Sequence, residues 1–554
     1  MDGQGTPTAW LDNPSDERGI SFARREGWER KTYAELAFGV LGGSGEIQQR
    51  VPPRETVMIV GLGGESFFYA FFGAIHAGCT PSPHPPPGPF AANDAYVTHL
   101  ARVIAAAEPS AIMVGDECRT EVQSAMRRVG SIATVLDPPH SHAPSTSARE
   151  PAELALLQFT SGSSGPPRGV RVRGEQLMAN VTAIRRWLHM TADDATATWL
   201  PVFHDMGLIG CLITPTVVQS DIWLMSPEQF IRRPLRWLEC FGCHGAALTA
   251  APTFGYAYVA RSLGRSSLDE MDFSAWRAAI VGAERIDPAP LTALTTALGP
   301  HGFDPAAFLP AYGLAEATLA VTGSPMHVTP RCLRPHWSSM RFGAPIAIEE
   351  RGFIGATDVG DGAGWLTGCG APHDDLDVSI TGADGAALPD GWLGEIVVTG
   401  PSVAAGYHAP GLESASSFAN GALQTGDAGL RVDGELYVVG RMGDSVKVRG
   451  RSVFAEDLEN KIETELGVAT GRCAVVPGID ESDAVSVVIE AGAVDKDSLT
   501  ALFRREIGQD STVALRLVPR HTIPRTSSGK PRRRALWQQM RAERTGDSGE
   551  SGRD

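Results

Sequence analysis

Long apolar runs are missing from this chain. The most apolar stretches, such as residues 67–75, fall well short of the ~20 residues that cross a bilayer. The opening MDGQGTPTAWLDNPSDERG has neither a basic start nor an apolar core, so no signal peptide is expected. Net positive charge is missing too: 48 Lys and Arg face 64 Asp and Glu, leaving −16. That balance is unsuited to a nucleic-acid backbone, where affinity comes from cations that release counterions, and to an anionic membrane surface. Small anions remain open, because a local loop can gather cations against the global field. Cysteine is sparse, eight in 554 residues, and without an export signal these are expected to be mostly free thiols in a reducing cytoplasm. CFGCH at residues 240–244 has the C-x-x-C-H spacing of haem attachment. Outside an exported context it reads as a helix running into the apolar strand AALTA. No internal repeat is visible.

What is present is length and alternation. A chain of 554 residues is too long for one ordinary core, so at least two domains are expected. Short apolar runs at 56–60, 111–114, 154–159, 197–201, 246–250, 278–281 and 308–310 alternate with helical patterns such as 67–77 and 174–189. This alternation predicts an α/β fold with parallel sheets covered by helices on both faces. PSPHPPPGP at 81–89 cannot be helix and reads as a stiff crossing. Residues 138–151 read as a surface connector.

The texture changes after Tyr312. Residues 321–368 are interrupted by Gly and Pro; then DVSI, GEIVVTG, GELYVVG and DSVKVRG predict a small, mostly antiparallel β-subdomain. From Val453 a compact α+β module is expected. FAEDLENKIETELG spaces Phe454, Leu458, Ile462 and Leu466 along one helix face stopped by Gly467. Strands CAVVPG, VSVVIEAG and VALRLVP follow, with a helix over 496–507. The polar tail, residues 541–554, is expected to be disordered. The resulting division is 1–440, including the β-subdomain at 320–440, a hinge at 441–444 and a mobile lid at 445–540.

Two loops carry the chemistry. FTSGSSGPPRGV, at 159–170, follows an apolar strand with hydroxyls and glycines and reaches a guanidinium at Arg168. Such a loop can wrap phosphate oxygens with amides and hydroxyls, or can be a mobile connector. It fits none of GxxxxGK[ST], GxGxxG or GxSxG. RTSSGKPRRRA, at 525–535, is a second Ser/Gly loop ending in Lys530, either a mobile point charge able to reach another domain or part of a solvated basic stretch.

LQFTSGSSGPPRGV, YGLAE, GD at 426–427, GRMGDSVKVRG and RTSSGK stand in the order and spacing of the adenylate-forming enzymes, and the chain resembles that superfamily from TYAEL at 32 to Lys530. WLPVFHDMGLIG, AIHAGCTPSPHPPP, SPEQFIRRPLRWL, PAYGLAEATLAVTG and GPSVAAGYH resemble its fatty acyl-AMP ligase branch. The stretch between 319 and 369 lies where that branch carries an insertion said to hinder the movement used for CoA transfer.

The resemblance implies ATP-dependent conversion of a carboxylic acid, expected to be fatty, to an acyl-adenylate with release of pyrophosphate. The acyl group would then pass to a carrier protein's phosphopantetheine. An acyl-CoA synthetase, or a degenerate member that only binds or thioesterifies acyl-adenylates, stays open. By resemblance Thr160, Ser161, Gly162, Ser163, Ser164, Gly165 and Arg168 hold the β- and γ-phosphates. Gly282, Ala283 and Glu284 line the adenine side, and Ala311, Tyr312, Gly313, Leu314 and Ala315 bind the nucleotide, with Tyr312 stacking on adenine. Glu316 binds Mg²⁺ and Asp427 the ribose hydroxyls. Arg441 contacts phosphate or ribose, and Lys530 bridges the carboxylate and the α-phosphate. His204, Asp205, Met206 and Gly207 belong to the acyl pocket. Two departures stand out: Gly443 occupies the hinge position where Asp or Lys is usual, and Arg173-Gly174 replaces a Thr-His pair.

Overall fold

The computed structural model describes all residues except 1–4, 88–92, 140–146, 161–166, 264–267, 337–338, 357–358, 360–363, 409–415, 449–450, 470, 479–484, 491–493, 507–512, 526–530 and 548–554. The expected alternation produces two parallel sheets. In the larger, strands Gly19–Ala23, Ile222–Leu224, Thr196–Thr198, Leu248–Ala251, Ala278–Val281 and Phe308–Gly313 run parallel side by side. Antiparallel strands flank them. In the smaller, Thr80–His84, Thr56–Val60, Ala111–Val114 and Thr134–Leu136 are parallel. Their near-continuous apolar sequences suit strands covered on both faces. The helix Gly64–His76 supplies Phe67, Phe68, Phe71 and Phe72, all fully buried.

The proline-rich stretch departs from the expected crossing. Its first half is the strand Thr80–His84, paired in parallel with Thr56–Val60. Pro81 and Pro83 lack an N–H, and the strand is tolerated because it forms the sheet's edge, where no second ladder needs those donors. Side chains link this edge to the next element: Thr80 Oγ1 donates to Leu154 O (3.0 Å) and Ser82 Oγ to Leu157 O (2.9 Å). Both acceptors lie on the strand Leu154–Thr160, which forms an antiparallel hairpin with Arg168–Arg173. In sequence the Ser/Gly stretch lies between these two strands.

The β-subdomain is a six-stranded antiparallel sheet built on Trp392–Thr399, Ala422–Val432 and Glu435–Arg441. DSVKVRG does not join it: Ser445–Val448 pairs instead with Arg451–Phe454 in a separate hairpin. The Gly- and Pro-interrupted stretch forms its own antiparallel sheet of Ile348–Phe353, Arg331–Pro335 and Leu366–Thr367. Leu333, Met340, Ile346 and Leu366 of this insertion share a core with Leu393, Leu430, Tyr437, Val439 and Phe454.

The last module is a three-stranded sheet, Cys473–Pro477, Val485–Glu490 and Val513–Val518. Leu458 and Ile462 of the helix Ala455–Leu466 cover one face with Leu499, Leu502 and Phe503 of Lys496–Glu506. Leu536 and Met540 of the helix Arg533–Asp547 cover the other. That helix overturns the expected tail as far as Asp547. Helix-forming Arg, Ala and Glu residues continue it, and Arg541 stacks over Trp537 one turn back (4.8 Å).

CFGCH behaves as a helix end. Cys240 is buried in the helix Pro234–Gly242, Cys243 is exposed, and the His244 ring stacks on Trp223. All eight cysteines are free thiols. No helix of the described residues is long and apolar enough to cross a membrane.

Candidate active site

The carboxyl ends of the central parallel strands open onto one cavity of 340 Å³. The strand Ala278–Val281 delivers Gly282 and Ala283 to its wall, and Ala283 takes the left-handed φ of 68° that a side chain seldom adopts. The strand Phe308–Gly313 delivers Ala311, Tyr312 and Gly313, followed by Leu314, Ala315 and Glu316. A Cβ on Gly313 would meet Leu319 O at 2.0 Å, so only glycine lets the chain double back here and bring Glu316 to the rim.

Asp427 and Arg441 face each other across neighbouring strands of the β-subdomain. Arg441 Nε lies 2.9 Å from Asp427 Oδ1, and Tyr312 donates its hydroxyl to Asp427 Oδ2 at 2.7 Å. Burial and the Asp427 charge push the Tyr312 hydroxyl well above its ordinary pKa, which keeps it a donor. Tyr312 and Arg441 line the cavity; Asp427 stands one layer behind them.

Glu316 is only 6% exposed, and its Oε1 accepts the Tyr407 hydroxyl at 2.7 Å. Tyr407 is placed by backbone bonds from residues 405–408 to the strand Arg168–Arg173, including His408 N to Gly169 O (2.7 Å). The Arg168 guanidinium lies over the Tyr407 ring, 5.3 Å from its centroid. A cation over the ring face and a carboxylate at its hydroxyl thus meet on one tyrosine. Thr160 and Arg168 both line the cavity.

His204 Nδ1 lies 2.6 Å from Asp205 Oδ1, which also accepts Met206 N (2.7 Å) at the start of the π-helical turn Met206–Ile213. Asp205 is therefore committed within the protein, which leaves it poorly suited to bind a substrate amine. His204, Asp205 and Met206 line the cavity, and an apolar arm continues between the helix Gly174–Trp187 and the sheet.

Some expected positions lie elsewhere. Gly207 is not in the cavity wall: a Cβ there would meet Pro201 O at 2.4 Å, so the residue serves close packing of the turn. Glu284 also turns away, its Oε1 accepting Phe254 N (3.0 Å) at the start of the helix Thr253–Ser262. Arg173 starts the helix Gly174–Trp187 and pairs with Glu153 at the surface. Gly443 is exposed in the turn Met442–Asp444, with open space where a Cβ would stand. Ser161, Gly162, Ser163, Ser164, Gly165 and Lys530 lie outside the described residues. Both stems of the loop bearing Lys530 are described: Arg525 bridges to Pro531, and Arg532 N donates to Pro524 O at 2.7 Å. Pro531 and Arg533 line the cavity.

The wall residues that sequence reasoning missed include Gln158, His84, Glu456 and Arg533. Gln158 sits in the quoted loop motif; its Nε2 donates to Phe203 O (2.9 Å), and its buried Oε1 has no partner among the described residues. Burial pushes His84 down to about 3, so the ring is neutral beside Ser82 Oγ (3.0 Å). Arg533 forms a buried pair with Glu459.

The family model for AMP-binding enzymes matches residues 9–408. The chain belongs to this family of adenylate-forming ligases. A protein of Caulobacter vibrioides named "putative acyl-CoA synthetase" is 34% identical over 489 residues, 86% of this chain and 84% of the relative. A long-chain-fatty-acid–AMP ligase of Mycobacterium marinum is 30% identical over 580 residues, 97% of this chain and 95% of the relative. A structure from a study of the fatty acyl-adenylate ligases of E. coli and L. pneumophila superposes with a TM-score of 0.85 at 28% identity, covering 99% of this chain and 100% of that one.

Proposed function

We propose that the enzyme activates a fatty acid with ATP and hands the acyl group to the phosphopantetheine thiol of a carrier protein. One observation carries the reading: a single cavity joins a charged mouth at the strand ends to an apolar arm inside the large domain. A fatty acid has that polarity, and the mouth brings cations to a nucleotide's phosphates.

In the first step a carboxylate oxygen attacks the α-phosphorus, an O–P bond forms, the bond to the β-phosphate oxygen breaks, and pyrophosphate leaves. All the reactants are anions, so the protein's task is alignment and charge neutralisation. Thr160, residues 161–165 and Arg168 hold the β- and γ-phosphates. Ala311–Leu314 and Gly282–Ala283 hold the base, with Tyr312 against adenine. Asp427, fixed by Tyr312 and Arg441, retains acceptor sites on each oxygen for the ribose hydroxyls. Lys530 bridges carboxylate and α-phosphate. Mg²⁺ accepts few protein carboxylates plus phosphate oxygens; Glu316, oriented by Tyr407, fits that role, and the ion would supply charge neutralisation there. Among the described residues no cluster of three or more His, Cys, Asp or Glu offers an all-protein metal site. His204 and Met206 wall the passage to the acyl arm. In the second step the thiol sulfur attacks the acyl carbon, the acyl–O bond to phosphate breaks, and AMP leaves.

Residues 1–440 form the body in this reading, 441–444 the hinge and 445–540 the lid that carries Lys530. Eight unpaired thiols support a reducing cytoplasm as its location. The test is incubation with fatty acid and ATP, mass spectrometry for acyl-AMP, then addition of a holo-carrier protein or CoA. Carrier-bound acyl product is expected; accumulation of acyl-CoA at comparable rate would favour the synthetase reading instead.

A further inference from the structure

We infer that the substrate is a straight medium-chain acid of about ten to twelve carbons, and that Met190 and Leu188 form the floor that sets this limit. The inference rests on the proposed activity and adds the length class to it.

The apolar arm runs from the carboxyl ends of the strands to their beginnings. The helix Gly174–Trp187 descends beside it. Near the top Asn180 Nδ2 donates to Ala320 O (2.8 Å), and Ala320 stands opposite Gly313 at the rim. Lower down Trp187 Nε1 donates to Ser324 O (2.7 Å). Past the helix end, His189 takes a left-handed φ of 46° and turns Met190 under the sheet. There Met190 and Leu188 share a core with Leu248 and Ala278, the first residues of their strands.

The length follows from register. Leu248 pairs with Ala278, and Gly282, at the nucleotide end of the cavity just past that strand, is four residues further along the chain. Four strand steps cover roughly 13 Å. A fully extended chain advances about 1.2 Å per bond, so roughly eleven bonds fit between mouth and floor. The floor is braced from below: Arg277 donates through Nη1 to Leu188 O (2.7 Å) and pairs through Nη2 with Asp194 (2.8 Å). Met190 is 6% exposed and Leu188 3%, so the floor does not open to solvent. Among the described residues no charged side chain lines the arm below the mouth, and Thr249 donates its hydroxyl to Ala197 O (2.7 Å). A charged far end on the substrate would therefore be buried without a partner.

The experiment measures pyrophosphate release by the full-length enzyme across straight-chain acids from C4 to C18, for the wild type and Met190→Ala. For the wild type kcat/KM is expected to peak at C10–C12 and to fall at least about tenfold by C16, as each ill-fitting methylene carries a penalty of that order. Met190→Ala should move the peak two to four carbons longer. Activation of C16–C18 as efficient as C12 by the wild type overturns the length class, and this holds even if the variant fails to fold. A folded Met190→Ala enzyme with an unchanged profile overturns the floor. Release with branched, aromatic or amino acids but with no straight-chain acid removes the fatty-acid reading itself, and the length class with it.

Discussion

Replacing Arg533 by methionine tests how the C-terminal module is held together. Arg533 opens the helix Arg533–Asp547 and pairs inside the module with Glu459, Nη2 to Oε2 at 2.7 Å and Nε to Oε1 at 3.0 Å. Glu459 Oε1 also accepts Val475 N (2.8 Å). Both side chains are almost wholly buried. Methionine keeps the volume and removes the charge. Losing one partner of a buried pair costs about 3–5 kcal/mol, because the other charge stays buried and uncompensated. The cost is pH-dependent. Burial already raises the Glu459 pKa, with Arg533 opposing it. Without Arg533 the folded-state pKa rises further, so the penalty is absent below the ordinary carboxylate range and grows as pH rises through the elevated value.

A multidomain chain has no single unfolding free energy, so local opening is the appropriate readout. Hydrogen exchange of residues 455–466 and 473–477 should accelerate by about two to three orders of magnitude at pH 8, at 1.4 kcal/mol per tenfold. The acceleration should be much smaller at pH 5. The double variant Arg533→Met, Glu459→Met should recover most of the protection, since an apolar replacement for a buried pair is often neutral or stabilising. A single variant costing under about 1 kcal/mol at pH 8, or a double variant as labile as the single, would refute the argument.

Lys530→Ala should lower acyl-AMP formation about 10²–10³-fold, the scale of losing one preorganised charge in a transition state; thioester formation from supplied acyl-AMP should change far less. A pyrophosphate-coupled assay reads the first step and mass spectrometry the second, and adenylation within tenfold of wild type would reject the assignment. Tyr407→Phe should leave Glu316 unoriented, raise the Mg²⁺ concentration giving half-maximal rate, and slow adenylation about tenfold; an unchanged Mg²⁺ titration contradicts it. Glu463 is pushed up to about 7, chiefly by burial. Between its ordinary value of 4.5 and 7 the folded state holds the proton that the unfolded chain releases, so this group's contribution to stability falls as pH rises through that window. Melting temperatures at pH 5, 6, 7 and 8 should show Glu463→Gln flattening that slope; parallel slopes would disprove it.

The parallel sheets were legible because a strand covered on both faces must be a short apolar run, and Ala278–Val281 and Ala111–Val114 are such runs. Thr80–His84 was not, because proline argues against a strand unless the strand lies at an edge, and edge position belongs to the assembled sheet. The site was legible at its rim, where Glu316 closely follows the strand Phe308–Gly313 and Arg168 begins the strand Arg168–Arg173. It was illegible where direction decides. Gly207 adjoins Met206 in sequence but faces Pro201 instead of the cavity, and Glu284 caps a helix that sequence does not place beside it. The joint made by Tyr312, Asp427 and Arg441 depends on a cross-strand register fixed only when the β-subdomain docks on the large sheet.

That joint also bears on the insertion. Arg441 ends its strand, and the chain passes directly through the turn Met442–Asp444 into the lid. Phe454, the last residue of the lid's first hairpin, is buried among Leu333, Met340 and Ile346 of the insertion and Val439 of the body. A rotation about residues 441–444 that carried Phe454 away would expose it. Uncovering one such ring costs about 1.5–3 kcal/mol, which shifts a conformational balance by one to two powers of ten. On the proposed hinge, this contact with the insertion biases residues 445–540 toward the observed position without locking them. The Asp427–Arg441 pair lies on the body side of the turn and can survive the rotation intact. On the proposed hinge, the Tyr312–Asp427–Arg441 geometry and the orientation of residues 445–540 are therefore separable.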